Sequence, residues 1–451
     1  MALKPFNQEG SEPSSAGFQR QQRRQGPVPF TTKLAQGFSA LPGQHKDWAF
    51  NTLLLLYYSQ VLGLSASLAA LAIAASLLID AITDPMVGAF SDSFRSRLGR
   101  RHGLMLASIL PTCGAMFALF SPPETLQDGG LAAWMLACSI VLRISFTFFA
   151  VPWGAIAAEL SEDYAERTTI IAYRMLIGGL GGVIFIFFIY ALFPASDAYV
   201  NGLFNPASYP RFAAVIATLM AFWMLLSTLA TLDQIKFLPQ PNQAVARPNP
   251  GDMIHRVYAA LANKNFRVLF VATLIAAAVV GTGQVFDTYM NTFFWGFGPE
   301  ELKWMSLSFL GMALSIVTVG PLQRRFEKRN IMLAAVTSLT VLQILKVSCR
   351  FAGWLPDNHD PLLLPILVAH ACLMLYSYFL MLMMFASMIA DVADQQELQN
   401  GLRQEGIFSG GISFSTKVTT GAGLTIGGLI LEWVIVFPVG SQPGEVSGDI
   451  L

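Results

Sequence analysis

The feature that most constrains this chain is a recurrence of apolar segments, each about 20 residues long. Crossing a hydrocarbon core of about 30 Å takes about 20 apolar residues in helix. Segments near 46–64, 67–90, 103–121, 131–157, 169–194 and 211–232 precede a polar stretch. Segments near 266–297, 302–321, 331–351, 361–390 and 408–437 follow it. Composition agrees, at 54% hydrophobic and 12% charged with a mean hydropathy of +0.53. A soluble domain carries about 25% charged residues and could not hide this much apolar surface in one core. The expected class is an all-α membrane protein whose solvent is the lipid bilayer.

Charge placement divides the chain. Residues 1–32 are polar, rich in Gln, Ser, Pro and Arg, and lack the apolar region of a signal peptide, so they read as a disordered tail. Asp233 to Asn263 contains Pro239, Pro241, Pro248 and Pro250 and reads as a linker. Basic residues fall in every second loop: in the tail, after the second segment (Arg95, Arg97, Arg100, Arg101), in the linker, and after the eighth (Arg324, Arg325, Lys328, Arg329). Lys and Arg favour the cytoplasmic side, which predicts a cytoplasmic N-terminus. The expected plan is a helix bundle over 33–232, a cytoplasmic linker over 233–263, a second bundle over 264–437 and a polar segment over 438–451. Duplicated halves around a linker predict a transporter with its site between the repeats. A twelfth apolar segment is expected of such a plan, but after Pro438 the chain runs on as a polar stretch to Leu451.

Several function classes find no support. Net charge is zero, so nothing global suggests a nucleic-acid partner. The cysteines Cys113, Cys138, Cys349 and Cys372 sit in apolar stretches without metal or redox spacing. No P-loop, catalytic triad or metal cluster is visible, and His370 stands alone. No enzyme activity and no cofactor are expected.

Ionisable residues within apolar segments carry the information, because each costs about 2.5–3.5 kcal/mol at a membrane helix centre. Asp80 and Asp84 stand four apart and share one helix face. Two carboxylates in low dielectric repel, so one holds a proton or both seek a cation. That predicts a cation-coupling site; bracing of the helix end beside Pro85 is the plainer alternative. Arg143, Arg174, Lys346 and Lys417 are cations in the fourth, fifth, ninth and eleventh segments, and Asp287 is an acid in the seventh. Pairing among them is the expected way to lower their cost. Trp153, Tyr173 and other aromatics could stack on a sugar, although interfacial anchoring is the commoner use of Trp and Tyr.

Two acidic stretches occupy matching places in the halves: Glu159, Asp163, Glu166 and Arg167 after the fourth segment, and Asp391, Asp394 and Glu397 after the tenth. They read as loops that pair with the basic loops in one access state and release them in the other. The expected gate is Asp92, Arg100, Arg101, Glu159, Glu166, Arg167, Asp391 and Asp394.

These residues resemble, in this order, the glycoside–pentoside–hexuronide:cation symporter family, the melibiose-permease-like branch of the major facilitator superfamily. The carriers are Asp80-Ala-Ile-Thr-Asp84-Pro85-Met-Val-Gly88 with Ser91-Asp92 and Gly99-Arg100-Arg101. Val151-Pro152-Trp153, Glu159, Asp163-Tyr164, Glu166-Arg167-Thr168 and Tyr173-Arg174 follow. The second half contributes Asp391-Val-Ala-Asp394, Gly401-Leu-Arg403-Gln-Glu405-Gly406 and Lys417. The resemblance spans roughly residues 30–437. It implies two six-helix bundles, alternating access, and sugar import coupled to Na⁺, H⁺ or Li⁺. By the same resemblance Asp80, Asp84 and Lys417 belong to the cation site, and Arg174, Trp153, Tyr173 and Asp287 are expected at the substrate. Two places depart from the family pattern. Ala150 stands where melibiose permease has a sugar-binding aspartate, and Gly154 replaces an aromatic, which predicts a sugar site of different composition.

The leading expectation is thus a cation-coupled sugar symporter with Na⁺ or H⁺ as coupling ion, a monomer by default for the superfamily. Transport of an amphipathic lipid such as a lysophospholipid is the second reading, weakly favoured by Ala150. A degenerate, non-transporting paralogue is the third.

Overall fold

The computed structural model describes residues 26–161, 163–238, 264–358, 360–400, 405–443 and 446. Residues 1–25 of the expected tail, 239–263 of the expected linker, and 444–445 and 447–451 at the C-terminal end lie outside the described set. So does the side chain of Asp394.

The described residues are helical, with no strand among them. Phe30–Phe38 (α1) and Leu41–Trp48 (α2) run into π-helical turns at Ala49–Leu54 and Tyr57–Val61. Ala66–Ser93 (α3), His102–Leu119 (α4), Asp128–Glu159 (α5), Tyr164–Ile189 (α6) and Ser208–Leu229 (α7) follow. The second half has Lys264–Tyr289 (α8) with a π turn at Met290–Phe294, then Pro299–Met305 (α9) and Leu310–Arg325 (α10). Lys328–Phe351 (α11), Leu363–Asn400 (α12) and Glu405–Leu429 (α13) with a π turn at Ile430–Val434 complete it. Among the described residues nine spans are long and apolar enough to cross a membrane. Their outer faces expose large side chains such as Leu110, Phe188, Ile184 and Val317, as lipid-facing helices do and soluble ones rarely do.

Two boundaries differ from the sequence reading. The first helical segment begins at Phe30, not near residue 46, so Gln44, His45, Lys46 and Asp47 lie within it rather than at its edge. Their polarity interrupts the apolar run that otherwise marks a span. Asp391 and Asp394 lie on α12, which continues to Asn400, and not in a loop.

α13 packs between α3 and α8 and joins the two halves of the chain. Its approach to α3 depends on a missing side chain. A Cβ on Gly428 would meet Ala70 Cβ at 2.6 Å and the Ala66 carbonyl oxygen at 2.9 Å. Polar contacts between the halves gather at the same end. Tyr289 Oη lies 2.6 Å from Ser59 Oγ and accepts from Gln60 Nε2 at 3.3 Å. Glu432 accepts the Ser67 N–H at 2.9 Å, and Asn201 Nδ2 donates to the Phe297 carbonyl at 3.2 Å. This is the end away from the basic loops that follow α3 and α10. The molecule is therefore closed there.

Candidate functional site

Asp80 and Asp84 sit one turn apart on α3 and point at the same partner. Lys417 Nζ on α13 donates to Asp80 Oδ2 at 2.7 Å and to Asp84 Oδ2 at 2.5 Å. From α5, Arg143 Nη1 lies 3.5 Å from Asp80 Oδ2, and its Nε donates to Ser76 Oγ at 2.9 Å. Arg143 is 7% exposed with its guanidinium over the Phe50 ring, so the ion pair is what keeps its charge tolerable. One turn on, Thr147 Oγ1 lies 3.3 Å from Asp80 Oδ1 and 3.0 Å from Asp84 Oδ1. A hydroxyl carries one proton, so it serves one carboxylate at a time. Two acids and two fixed cations balance. A cation arriving here must displace an ammonium or guanidinium from a carboxylate already paired.

Beside this cluster lies a cavity of about 950 Å³, at the upper end of the about 300–1,000 Å³ common for small-molecule sites. Asp80, Asp84 and Lys417 are not in its lining. The link runs through α2. Lys46 faces the Phe50 and Phe146 rings on the cluster side and holds Asp47 Oδ1 at 2.5 Å, while Asp47 lines the cavity.

Three of the four expected substrate residues come together. Trp153, Arg174 and Asp287 all line the cavity. The Arg174 guanidinium lies 3.7 Å from the centre of the Trp153 ring, and Trp153 stacks on Phe149. Arg174 is thereby paired with an aromatic face rather than with an acid. Tyr173 is the correction. It is absent from the lining and packs edge-on against Phe30 at 5.9 Å. Neighbouring residues on a helix point about 100° apart, and here that turns Tyr173 toward Phe30 while Arg174 lines the cavity. The Asp287 side chain is exposed and lines the cavity. Among the described residues no cation lies within ion-pair distance of it; Lys346 on α11 is the charge that acts on it from further away.

The expected gate residues pair, but within each half. Arg100 Nη2 reaches Glu159 Oε1 at 2.6 Å. Arg101 donates to Glu159 through Nε at 3.1 Å and through Nη2, and to Asp92 Oδ1 at 3.0 Å. Glu166 accepts the Val28 N–H at 2.6 Å and pairs with Lys33 at 3.0 Å, while Arg167 Nε donates to the Ser161 carbonyl at 2.6 Å. In the second half Lys328 Nζ holds Asp391 at 2.7 Å. None of these pairs bridges the halves. The matching positions of acids and bases were legible, but sequence alone did not say which half each would serve.

Sequence reasoning missed Thr147, Lys46 and Asp47. A signal for Asp47 was present as an internal repeat. Gly43-Gln44-x-x-Asp47-x-x-x-Asn51-Thr52 recurs as Gly283-Gln284-x-x-Asp287-x-x-x-Asn291-Thr292. Each copy ends in a π-helical turn, and the polar residues of both line the cavity.

Comparison with known proteins agrees with this architecture. The profile of the family described as MFS/sugar transport protein matches residues 35–449. An uncharacterised symporter of Synechocystis is 31% identical over 171 residues, 37% of this chain and 31% of that protein. The chain thus spans about a third of the length of the first curated relatives it matches. An isoprimeverose transporter of Lactiplantibacillus pentosus is 23% identical over 90% of this chain and 80% of its own. Among solved structures, the nucleoside transporter NupG superposes with a TM-score of 0.60 at 15% identity, over 94% of this chain and 93% of that one. That likeness concerns the fold.

Proposed function

The chain belongs to the MFS/sugar transport protein family, and on that footing we propose that it couples uptake of a glycoside or related sugar to Na⁺ or H⁺. As a member it is a multi-pass membrane transporter of the symporter type and not an enzyme. The observation that carries the finer reading is the Asp80–Lys417–Asp84 contact between α3 and α13. An entering cation competes with the Lys417 ammonium for the two carboxylates. Release of Lys417 loosens α13 from α3, where the halves are joined. A sugar in the adjoining cavity, near Trp153, Arg174 and Asp287, favours the state the cation needs, and the cation favours the state the sugar needs.

The basic loops and the N-terminus face the cytoplasm in this reading. The halves then meet on the outer side and the cavity belongs to the inward-open part of the cycle. The intra-half pairs of Arg100, Arg101 and Lys328 hold each bundle rigid as it rocks. The working unit is a monomer. An amphipathic lipid is the lesser reading, because polar side chains of α2 and α8 face the cavity.

The test is cation movement into proteoliposomes across a panel of glycosides, with Asp80→Asn as control. Flux that requires one sugar and vanishes in the variant is the expected result. Unchanged coupled uptake in Asp80→Asn removes Asp80 from the mechanism. No flux with any sugar in a folded protein overturns the sugar reading.

A further inference from the structure

The repeated decapeptide gives the cavity two like walls. In α2 and its π turn, Gln44, Asp47, Asn51 and Thr52 recur at helical spacing on one face. In α8 and its π turn, Gln284, Asp287, Asn291 and Thr292 do the same. All of them line the same cavity. The two copies touch, since Thr288 Oγ1 donates to the Thr52 carbonyl at 3.4 Å. Thr292 is 1% exposed, and its hydroxyl has no partner among the described residues.

We propose that the second copy, Gln284, Asp287, Asn291 and Thr292, is a hydroxyl-binding subsite of its own, opposed to the first. Its ligand is a neutral glycoside hydroxylated at both ends, of disaccharide size. The inference rests on the sugar-transport reading and narrows it. A carboxylate accepts from two hydroxyls at once, and a carboxamide both donates and accepts. That set suits vicinal hydroxyls, and it occurs twice. A molecule with one hydroxylated end satisfies one copy and leaves the other unpaired. The cavity volume accommodates two rings. Because one copy belongs to each half, such a ligand spans the halves, and its length becomes a condition for binding.

The test measures affinity by calorimetry on the full-length protein in nanodiscs. The probes are gluco-, galacto- and xylo-configured disaccharides, each beside the methyl glycoside of its non-reducing sugar. The expected result is that one disaccharide binds roughly tenfold or more tighter than its methyl glycoside. Asp287→Asn and, as a milder variant with the charge untouched, Gln284→Ala should each abolish most of that preference. Equal affinity for disaccharide and methyl glycoside overturns the proposal. So does a variant that weakens both by the same factor, or neither. Those outcomes leave the sugar reading standing, whereas a folded protein that binds no sugar in the panel removes that reading and the subsite with it.

Discussion

Arg143 and Lys417 approach the same atom, Oδ2 of Asp80, from different halves of the chain, at 3.5 Å and 2.7 Å. Arg143 is the permanent partner by geometry. It is anchored within its own half by Ser76 and packed over Phe50. Lys417 reaches Asp80 from the other half, so in the proposed cycle it is the partner that a coupling ion would displace.

Arg143→Gln strips Asp80 of its fixed partner. Losing one member of a buried pair costs roughly 3–5 kcal/mol, and retention of Lys417 puts the loss at the lower end. The double variant Asp80→Asn, Arg143→Gln should be less destabilised than the two single losses combined, because no unpaired charge remains at that pair. Thermal unfolding midpoints in detergent check this. Additive losses would mean that the pair is not energetically coupled.

Lys417→Met leaves Asp84 without its ion-pair partner and removes the competitor at the carboxylates. Coupling free energies of about 1–3 kcal/mol correspond to roughly 5- to 150-fold, and sugar accumulation driven by a cation gradient should fall within that range. Counterflow exchange, which needs no net coupling, should fall less. Comparing the two assays in one vesicle preparation reads the difference.

Gly428→Val places side-chain atoms where Ala70 and the Ala66 carbonyl already stand. Overpacking of this kind costs about 1–3 kcal/mol, charged against the state in which the halves meet at this end. A cysteine introduced at Ser59 should then react faster with an impermeant maleimide applied from that side. Unchanged labelling would show that the contact does not hold the end closed.

Glu159→Gln weakens the bonds from Arg100 and Arg101 within the first half. Hydrogen bonds to charged groups contribute about 1.5–3 kcal/mol, part of which Asp92 retains. The expected outcome is lower thermal stability with unchanged distances between spin labels on the two halves. A shift in those distances would restore the gate that the sequence suggested.

What the sequence disclosed follows from the bilayer's intolerance of lone charge. The cost of lone charge called for partners among Asp80, Asp84, Asp287 and four cations, and the family resemblance grouped Asp80, Asp84 and Lys417. The first helix resisted for the converse reason. Gln44, Lys46 and Asp47 face a cavity and a charge cluster rather than lipid, so the span that carries them does not look like one. Tyr173 was expected at the substrate as an aromatic and by resemblance, but its helix face turns it to Phe30, whereas Arg174 beside it does line the cavity. Arg100, Arg101 and Glu159 were expected to belong to a gate; in the structure they pair within the first half, a tertiary placement that residue spacing does not encode.

The position of Lys417 relative to the α13 glycines has a mechanical consequence. The close packing of Gly421 on Ala74 and Gly428 on Ala70 works as a fulcrum. Lys417 lies one turn, about 6 Å, beyond its nearer edge. The ammonium is therefore on a short lever arm. In the proposed cycle a tilt of α13 about this contact would carry Lys417 through a short arc and the Glu405 end of the helix through a longer one.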